Sequence, residues 1–437
     1  MRNRVCPAVA AMLAASIPCL AQLKAAPGDW PAWRGPDRTG VSAETGLMDA
    51  WPAGGPKLAW RTTEIGRGYS MPSIVAGTLY LLGTGEGETE CLLAVSAKDG
   101  SVLWRTPFGR TQGGYPGPRS TPTFDEGLLY VLSSDGKLLC ADARTGAKKW
   151  TKDLVADFGG KCGGWAYAES PLIDGAKVVC TPGGETSTMV ALDKKTGAKL
   201  WTCGVKKERA PAATPSGGGD RGGRRRPAKP YAVAGYSSIV AADLCGVRQY
   251  VQFLDGGVIG VSAADGKLLW TYDAPASPTA NCTTPVVRGD IVFAASAYNT
   301  GGGAARISKT PSGFEAKEIW FLKDFQNHHG GVVLVGDHLY GTGASQLLCV
   351  EFKTGTVAWR APSVGKGSVV AAGGRLYVRS ENGPIALADA SPAAYTERGR
   401  FDQPDRRKEK SWPHILVAGG RMYVRDQDLL LCYDVAK

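Results

Sequence analysis

An all-β chain closed into an eight-bladed β-propeller, with four antiparallel strands in each blade, is the fold this sequence predicts, and three observations predict it. The 437 residues include 59 glycines and 27 prolines, which demand frequent sharp turns, while 43% apolar content is enough for a large core. One strand-turn-strand string recurs as "LLAVSAKDGSVLW", "LLCADARTGAKKW", "MVALDKKTGAKLW", "VIGVSAADGKLLW" and "LLCVEFKTGTVAW". The aromatic residues that end such units, Trp60, Trp104, Trp150, Trp201, Trp270, Trp320, Trp359 and Phe401, are spaced by 44, 46, 51, 69, 50, 39 and 42 residues. That spacing is close to the roughly 40–50 residues of a four-stranded blade.

Each string has a mechanism. The Asp or Ser before the turn can hydrogen-bond backbone groups, and Thr-Gly or Asp-Gly supplies a tight reversal with a positive φ at glycine. Upstream of each stands another hairpin, such as "STPTFDEGLLYVLSS" or "TTPVVRGDIVFAAS", which makes four short strands per unit. The seventh unit is the weakest, because "IALADASPAAYTERGRF" lacks both the Thr-Gly turn and the Trp. After Phe401 the chain supplies three strands, "PHILVAGGRMYVRDQDLLLCYDV", and "GPKLAW" near the N-terminus is a lone outer strand. Joining them closes the eighth blade with strands from both termini and removes the exposed sheet edges of an open array.

The remaining segments define the domain plan. Arg2 and Arg4 precede an apolar, alanine-rich stretch over 5–20, so 1–26 reads as a cleaved signal peptide and the mature protein as periplasmic or secreted. Cys19 follows Pro18, an unsuitable context for lipid attachment, and no second apolar segment approaches membrane-spanning length. Residues 27–56 form an N-terminal extension and 57–437 the propeller. Within the propeller, 205–230 reads as a disordered basic insertion; its "KKERAPAATPSGGGDRGGRRRPAKP" holds a large share of the chain's net +11. The remaining charge is only mildly positive, so no nucleic-acid partner is expected. Beyond Cys6 and Cys19 there are nine cysteines, with no CxxC, no adjacent pair and no CxxCH, so neither a haem nor a metal site is expected. Cys140, Cys349 and Cys432 share one "LLC" context and read as small buried core residues.

Candidate site residues come from aligning the units on their hairpins. The stretch "QNHHGGVVLVGDHLYG" places His329 in one column with Tyr69, Arg119, Cys282, Lys366 and Trp412, at the start of each innermost strand and hence at one mouth of the channel. Strand alternation adds His414, two residues beyond Trp412. Trp165, Glu169 and Tyr236, together with Asn281 from the column of His328, are further candidates for the lining of this mouth. His328 falls in a column of mostly small residues and is expected to pack between blades. Cationic and aromatic groups together suit a planar anion or a sugar, so the expected partner is a small molecule, polysaccharide or protein bound at the mouth of a monomer. The aromatics of "DWPAWRGPDRTG", Trp30 and Trp33, are expected to pin the leading strand to the propeller wall.

The pattern D-x-x-T-G-x-x-x-W in "ADARTGAKKW" and "ALDKKTGAKLW" resembles the tryptophan-docking repeats of the quinoprotein propellers that bind pyrroloquinoline quinone (PQQ). "DWPAWRGPDRTGVS", "AGYSS", "NHHGGVVLVGD" and "LYVRS" resemble an exported, quinone-repeat-like branch of that family found in Planctomycetes and Verrucomicrobia. The resemblance covers nearly the whole mature chain and implies the fold more specifically than any activity. A quinoprotein dehydrogenase of this type covers PQQ with a disulfide between adjacent cysteines, holds calcium with Glu and Asn, and uses an Asp base. Here no cysteines are adjacent, and Glu169, Asn281 and Asp324 stand near the relevant positions without matching a dehydrogenase motif. The favoured expectation is a non-catalytic exported binding propeller. The alternatives are a PQQ- and calcium-dependent oxidoreductase and an outer-membrane assembly scaffold.

Overall fold

The computed structural model describes residues 23–205 and 232–437. All but the last four residues of the expected signal peptide, and all but Val205 of the expected insertion, lie outside them. The described residues form eight sheets. Six are continuous in sequence, spanning residues 73–110, 123–153, 172–203, 240–272, 286–322 and 332–361, and a seventh joins 367–402 to the two-residue strand Val41–Ser42; these are called blades 1 to 7. Blade 8 combines Leu416–Ala418, Arg421–Asp426 and Leu429–Asp434 with the N-terminal strand Leu58–Thr62. That last strand pairs antiparallel, Leu58 opposite Tyr433 and Thr62 opposite Leu430, so both termini close the ring as expected. No helix among the described residues is long and apolar enough to cross a membrane.

The repeat works by docking each tryptophan on the turn of the next blade. In blade 2, Asp142 Oδ1 accepts from the backbone N–H groups of Arg144 and Thr145 and from the Thr145 hydroxyl, each at 3.1 Å. The turn then reverses at Gly146, φ +72°, where an added Cβ would lie 2.6 Å from the Trp104 ring of blade 1. Only glycine combines that backbone conformation with so close a ring. Trp150 repeats the arrangement on blade 3, donating from Nε1 to the Lys194 carbonyl at 3.1 Å, and Trp320 does so on blade 6, to Phe352 at 2.9 Å.

Two blades depart from the pattern for visible reasons. Blade 5 has a long hairpin, Gly301–Thr310 with Gly313–Leu322, in place of the Thr-Gly turn. Trp270 of blade 4 therefore turns inward, donating to Gln249 Oε1 at 2.8 Å. Blade 7 forms despite its irregular sequence because the Ser391 carbonyl takes the Trp359 Nε1–H at 2.9 Å, and Phe401 packs edge-on against Trp51 and Tyr433.

Apolar side chains of neighbouring blades interdigitate, for example Leu82 and Leu92 of blade 1 with Leu129, Val131 and Leu139 of blade 2. The nine cysteines among the described residues are free, and Cys140, Cys349 and Cys432 are buried in this core.

The N-terminal extension does more than pin a strand to the wall. Residues 30–42 run into the centre of the ring and touch every blade or the linker that leads into it. Trp30 exchanges two backbone hydrogen bonds with Ile74 (2.9 Å each), and the Pro31 carbonyl accepts from Phe124 N at 2.7 Å. Trp33 Nε1 donates to Thr284 Oγ1 at 2.9 Å. Arg34 donates to the carbonyls of Thr39 and Val332 and contacts His414 Nδ1 at 3.3 Å. Arg38 donates to the carbonyls of Ser170, Pro171 and Ile239. Val41–Ser42 then adds a short parallel strand to the inner edge of blade 7.

Both arginines are buried and hold left-handed backbone conformations, φ +60° and +56°, that side chains rarely adopt. Their several hydrogen bonds hold them there. Burial pulls both guanidiniums down to about 10, still charged at neutral pH. Gly40 lets this segment fold back, since an added Cβ would sit 2.5 Å from Arg34 Nη2.

Candidate functional site: an aromatic mouth over Trp33

With the channel filled, one mouth becomes a blind cavity of about 170 Å³. Trp33 forms part of its lining, and linkers that lead into the innermost strands supply most of the rest. Tyr69 leads into blade 1, Arg119 into blade 2, Trp165 into blade 3, Tyr236 into blade 4, His328 and His329 into blade 6, and Trp412 into blade 8. The rings brace one another. Tyr69 stacks on Trp412 with centroids 4.7 Å apart, Tyr115 meets Trp412 edge-on at 4.8 Å, and Trp165 lies 5.6 Å from Tyr236. The surface is thus preformed and largely apolar, as small-molecule sites are.

Four residues expected at the mouth lie outside the lining. His414 sits beside Trp33 with ring centroids 4.7 Å apart, its Nε2 bonded to the His329 carbonyl at 2.8 Å and its Nδ1 facing Arg34. Alternation from Trp412 does not apply there, because the strand begins only at Leu416. Asn281 is buried and fully committed: its Oδ1 accepts from Ser277 N, and its amide donates to the carbonyls of Leu254, Asp255 and Ser277. Glu169 is buried, accepting from Thr181 N at 2.8 Å through Oε2. Lys366 reaches Glu381, with Nζ 3.0 Å from Oε1.

The paired histidines also depart from expectation. His328 does not pack between blades but lines the cavity with His329, its Nε2 2.8 Å from the Tyr298 hydroxyl. The pair lies before the strand Val332–Val335, with a bend at His329, so the two rings share a side with centroids 4.4 Å apart. Sequence reasoning missed Tyr115 and Tyr298 because both stand on loops outside the aligned columns. Tyr298 does stand next to Asn299 in a left-handed turn at a hairpin tip, and that turn carries a local sequence signal in "SAYNTGGG".

The electrostatics favour neutral rings. Burial, with the Lys366 charge second, lowers His328 to about 4. Burial lowers His329 well below its ordinary value, and burial together with Arg34 lowers His414 to about 3. Arg119 is the cation in the wall. It donates to Gln112 O, Gly117 O, Ser134 Oγ and Tyr115 O at 3.2–3.5 Å, all longer than the roughly 2.9–3.0 Å of a strong N–H···O bond. Its guanidinium is therefore weakly held.

Beneath the wall, burial raises the Glu169 carboxyl to about 8 and Glu90 to about 7. A folded-state pKa raised above the unfolded value stabilises the fold at low pH and is lost as pH rises through it, here between about pH 5 and pH 8. Urea melts should accordingly show the protein losing stability across that window. Glu169→Gln, which stays neutral, should remove roughly 1–4 kcal/mol of the loss. Parallel pH curves for the two proteins would show that Glu169 is not the titrating group.

The residues do not assemble the calcium site that the quinoprotein resemblance implies. Asn281 is buried with its Oδ1 turned to Ser277 N, and Asp324 is 68% exposed in a separate cleft, paired with Arg360 at 3.4 Å.

Fold and site together define an eight-bladed, tryptophan-docked propeller with a filled channel and one aromatic mouth. The family described as outer membrane protein assembly factor BamB matches residues 88–361, and the chain belongs to that family. The BamB of Burkholderia pseudomallei is 27% identical over 272 residues, 62% of this chain, which spans 62% of that relative's length. The BamB structure from Moraxella catarrhalis aligns with a TM-score of 0.55 at 15% identity, covering 84% of this chain and 94% of that one. Quinohemoprotein alcohol dehydrogenase from Comamonas testosteroni aligns with 0.61 at 13% identity, covering 94% and 81%. At these identities the structural likeness is one of fold.

Proposed function

We propose that this chain is an exported, non-catalytic binding propeller whose channel mouth takes a ring-shaped ligand bearing an acidic group, either a small planar molecule or a sugar unit of a polysaccharide. The observation that carries this reading is the blind aromatic cavity over Trp33. Tyr and Trp faces suit the apolar side of such a ring, and the weakly held Arg119 supplies the charge an acidic group would meet. Cleavage near residue 26, a monomeric state and a place in the Planctomycetes and Verrucomicrobia branch are parts of the same proposal, carried by the sequence motifs. Membership of the BamB family favours a second reading, a protein-binding scaffold at the cell envelope using this same face.

Thermal-shift titration separates these readings. Acidic oligosaccharides, and PQQ with or without calcium, are titrated against the purified chain, with neutral oligosaccharides as controls. The expected result is calcium-independent stabilisation by an acidic-ring probe, lost in Trp412→Ala and weakened in Arg119→Gln. Calcium-dependent stabilisation by PQQ would move the assignment to a quinone-dependent oxidoreductase. No stabilisation by any probe would remove the small-ligand reading and leave the scaffold.

A further inference from the structure

At one side of the mouth, His328, His329 and Glu381 bring their ligand atoms within 4.8 Å of one another. Glu381 stands on the turn after the strand Arg375–Ser380 of blade 7, and the histidines on the linker into blade 6, so two different blades build the cluster. Its polar atoms are buried and under-used. His328 Nε2 faces the Tyr298 hydroxyl, which leaves Nδ1 with no hydrogen bond. Neither nitrogen of His329 makes a hydrogen bond, although Nε2 lies 2.7 Å from Glu381 Oε1. Glu381 itself is only 7% exposed. Unbonded buried donors and acceptors are costly, and so many in one place require a reason.

From this cluster the geometry points to a divalent transition-metal site, with zinc the best match, formed by His328 Nδ1, His329 Nε2 and Glu381 Oε1. Two imidazoles and one carboxylate are a donor set that zinc and its neighbours prefer over calcium or magnesium. Small side-chain shifts would bring the three atoms to the roughly 2.0–2.2 Å that zinc requires. Because both histidines line the cavity, an ion held there would border the ligand space.

A cation already shares this place. Lys366 Nζ lies 3.0 Å from the same Glu381 oxygen, on a side chain 34% exposed. That ammonium can swing into solvent, and it would have to leave for the ion to enter. Lys366 is therefore a competitor of the metal, which gives the proposal a gain-of-binding test.

The site stands independently of any organic ligand, so its test uses metal alone. Untagged, chelator-treated protein is titrated with zinc by calorimetry and with cobalt by visible absorption. The expected result is one zinc per chain, with cobalt bands of low-coordinate geometry. His329→Ala and Glu381→Gln should each weaken zinc binding by at least about tenfold, and Lys366→Met should strengthen it. Circular dichroism checks that each variant is folded. If a weakening variant fails to fold, Lys366→Met decides alone. No binding by the parent protein, binding indifferent to Glu381→Gln, or a Lys366→Met variant that binds zinc no more tightly would overturn the assignment.

Discussion

Arg38→Ala is expected to lower stability by about 2–4 kcal/mol, a large change for one residue far from any blade core. The Arg38 guanidinium donates to the carbonyls of Ser170 at 3.0 Å, Ile239 at 2.9 Å and Pro171, and approaches Thr123 Oγ1 at 3.4 Å. These acceptors lie in blade 2 and at the starts of blades 3 and 4, so one side chain ties three neighbours together at the channel axis. Truncation leaves the Ser170 and Ile239 carbonyls buried without this donor, while the Pro171 carbonyl keeps the Thr123 hydroxyl at 2.6 Å, and it opens a void in place of the guanidinium. Relief of the buried charge offsets part of the loss, which is why the figure is not larger. Arg38→Lys should recover little, because an ammonium cannot span the fork of carbonyls. Thermal and urea melts check this, and a variant within about 0.5 kcal/mol of the parent would show that the segment is not holding the ring.

Truncation after Phe401 should abolish soluble expression. It removes Leu416–Ala418, Arg421–Asp426 and Leu429–Asp434, leaving Leu58–Thr62 without its partner. It also strips blade 8 from both neighbours: Val424 and Leu431 leave Ile385 and Leu387 of blade 7 uncovered, while Leu416 and Leu430 leave Leu79 and Leu81 of blade 1. Two apolar faces and one unpaired strand then meet water together, a combination that aggregates. A soluble monomer of unchanged melting temperature would show that the termini do not need each other.

The fold was legible because its unit repeats. Asp142, Thr145, Gly146 and the Trp104 ring docked on them make one local device, and its recurrence at Asp193, Thr196, Gly197 and Trp150 marks the next blade. Where the device is missing, in blades 5 and 7, spacing alone still placed the strands. The mouth was partly legible for the same reason, since Tyr69, Arg119, His329 and Trp412 hold equivalent linker positions.

What escaped has no period. Trp33, Arg34 and Arg38 meet partners more than 80 residues away, through contacts that no local pattern encodes. Strand alternation for His414 and the column of small residues for His328 both extend a strand register into linkers that are not strands, so each histidine meets other neighbours. Glu381, on a turn outside every aligned column, gave no signal until blade 7 brought it to the histidines.

The proposed ligand site lies where the filled channel floors this mouth with Trp33. Fluorine NMR of protein labelled with fluorotryptophan tests it most directly, with resonances assigned by single Trp→Phe variants and acidic oligosaccharides or PQQ as the titrants. The Trp33, Trp165 and Trp412 signals are expected to shift together and saturably with one titrant, while the blade-docking Trp104 and Trp150 signals stay fixed. Shifts confined to tryptophans outside the mouth, or none at saturating probe, would contradict it.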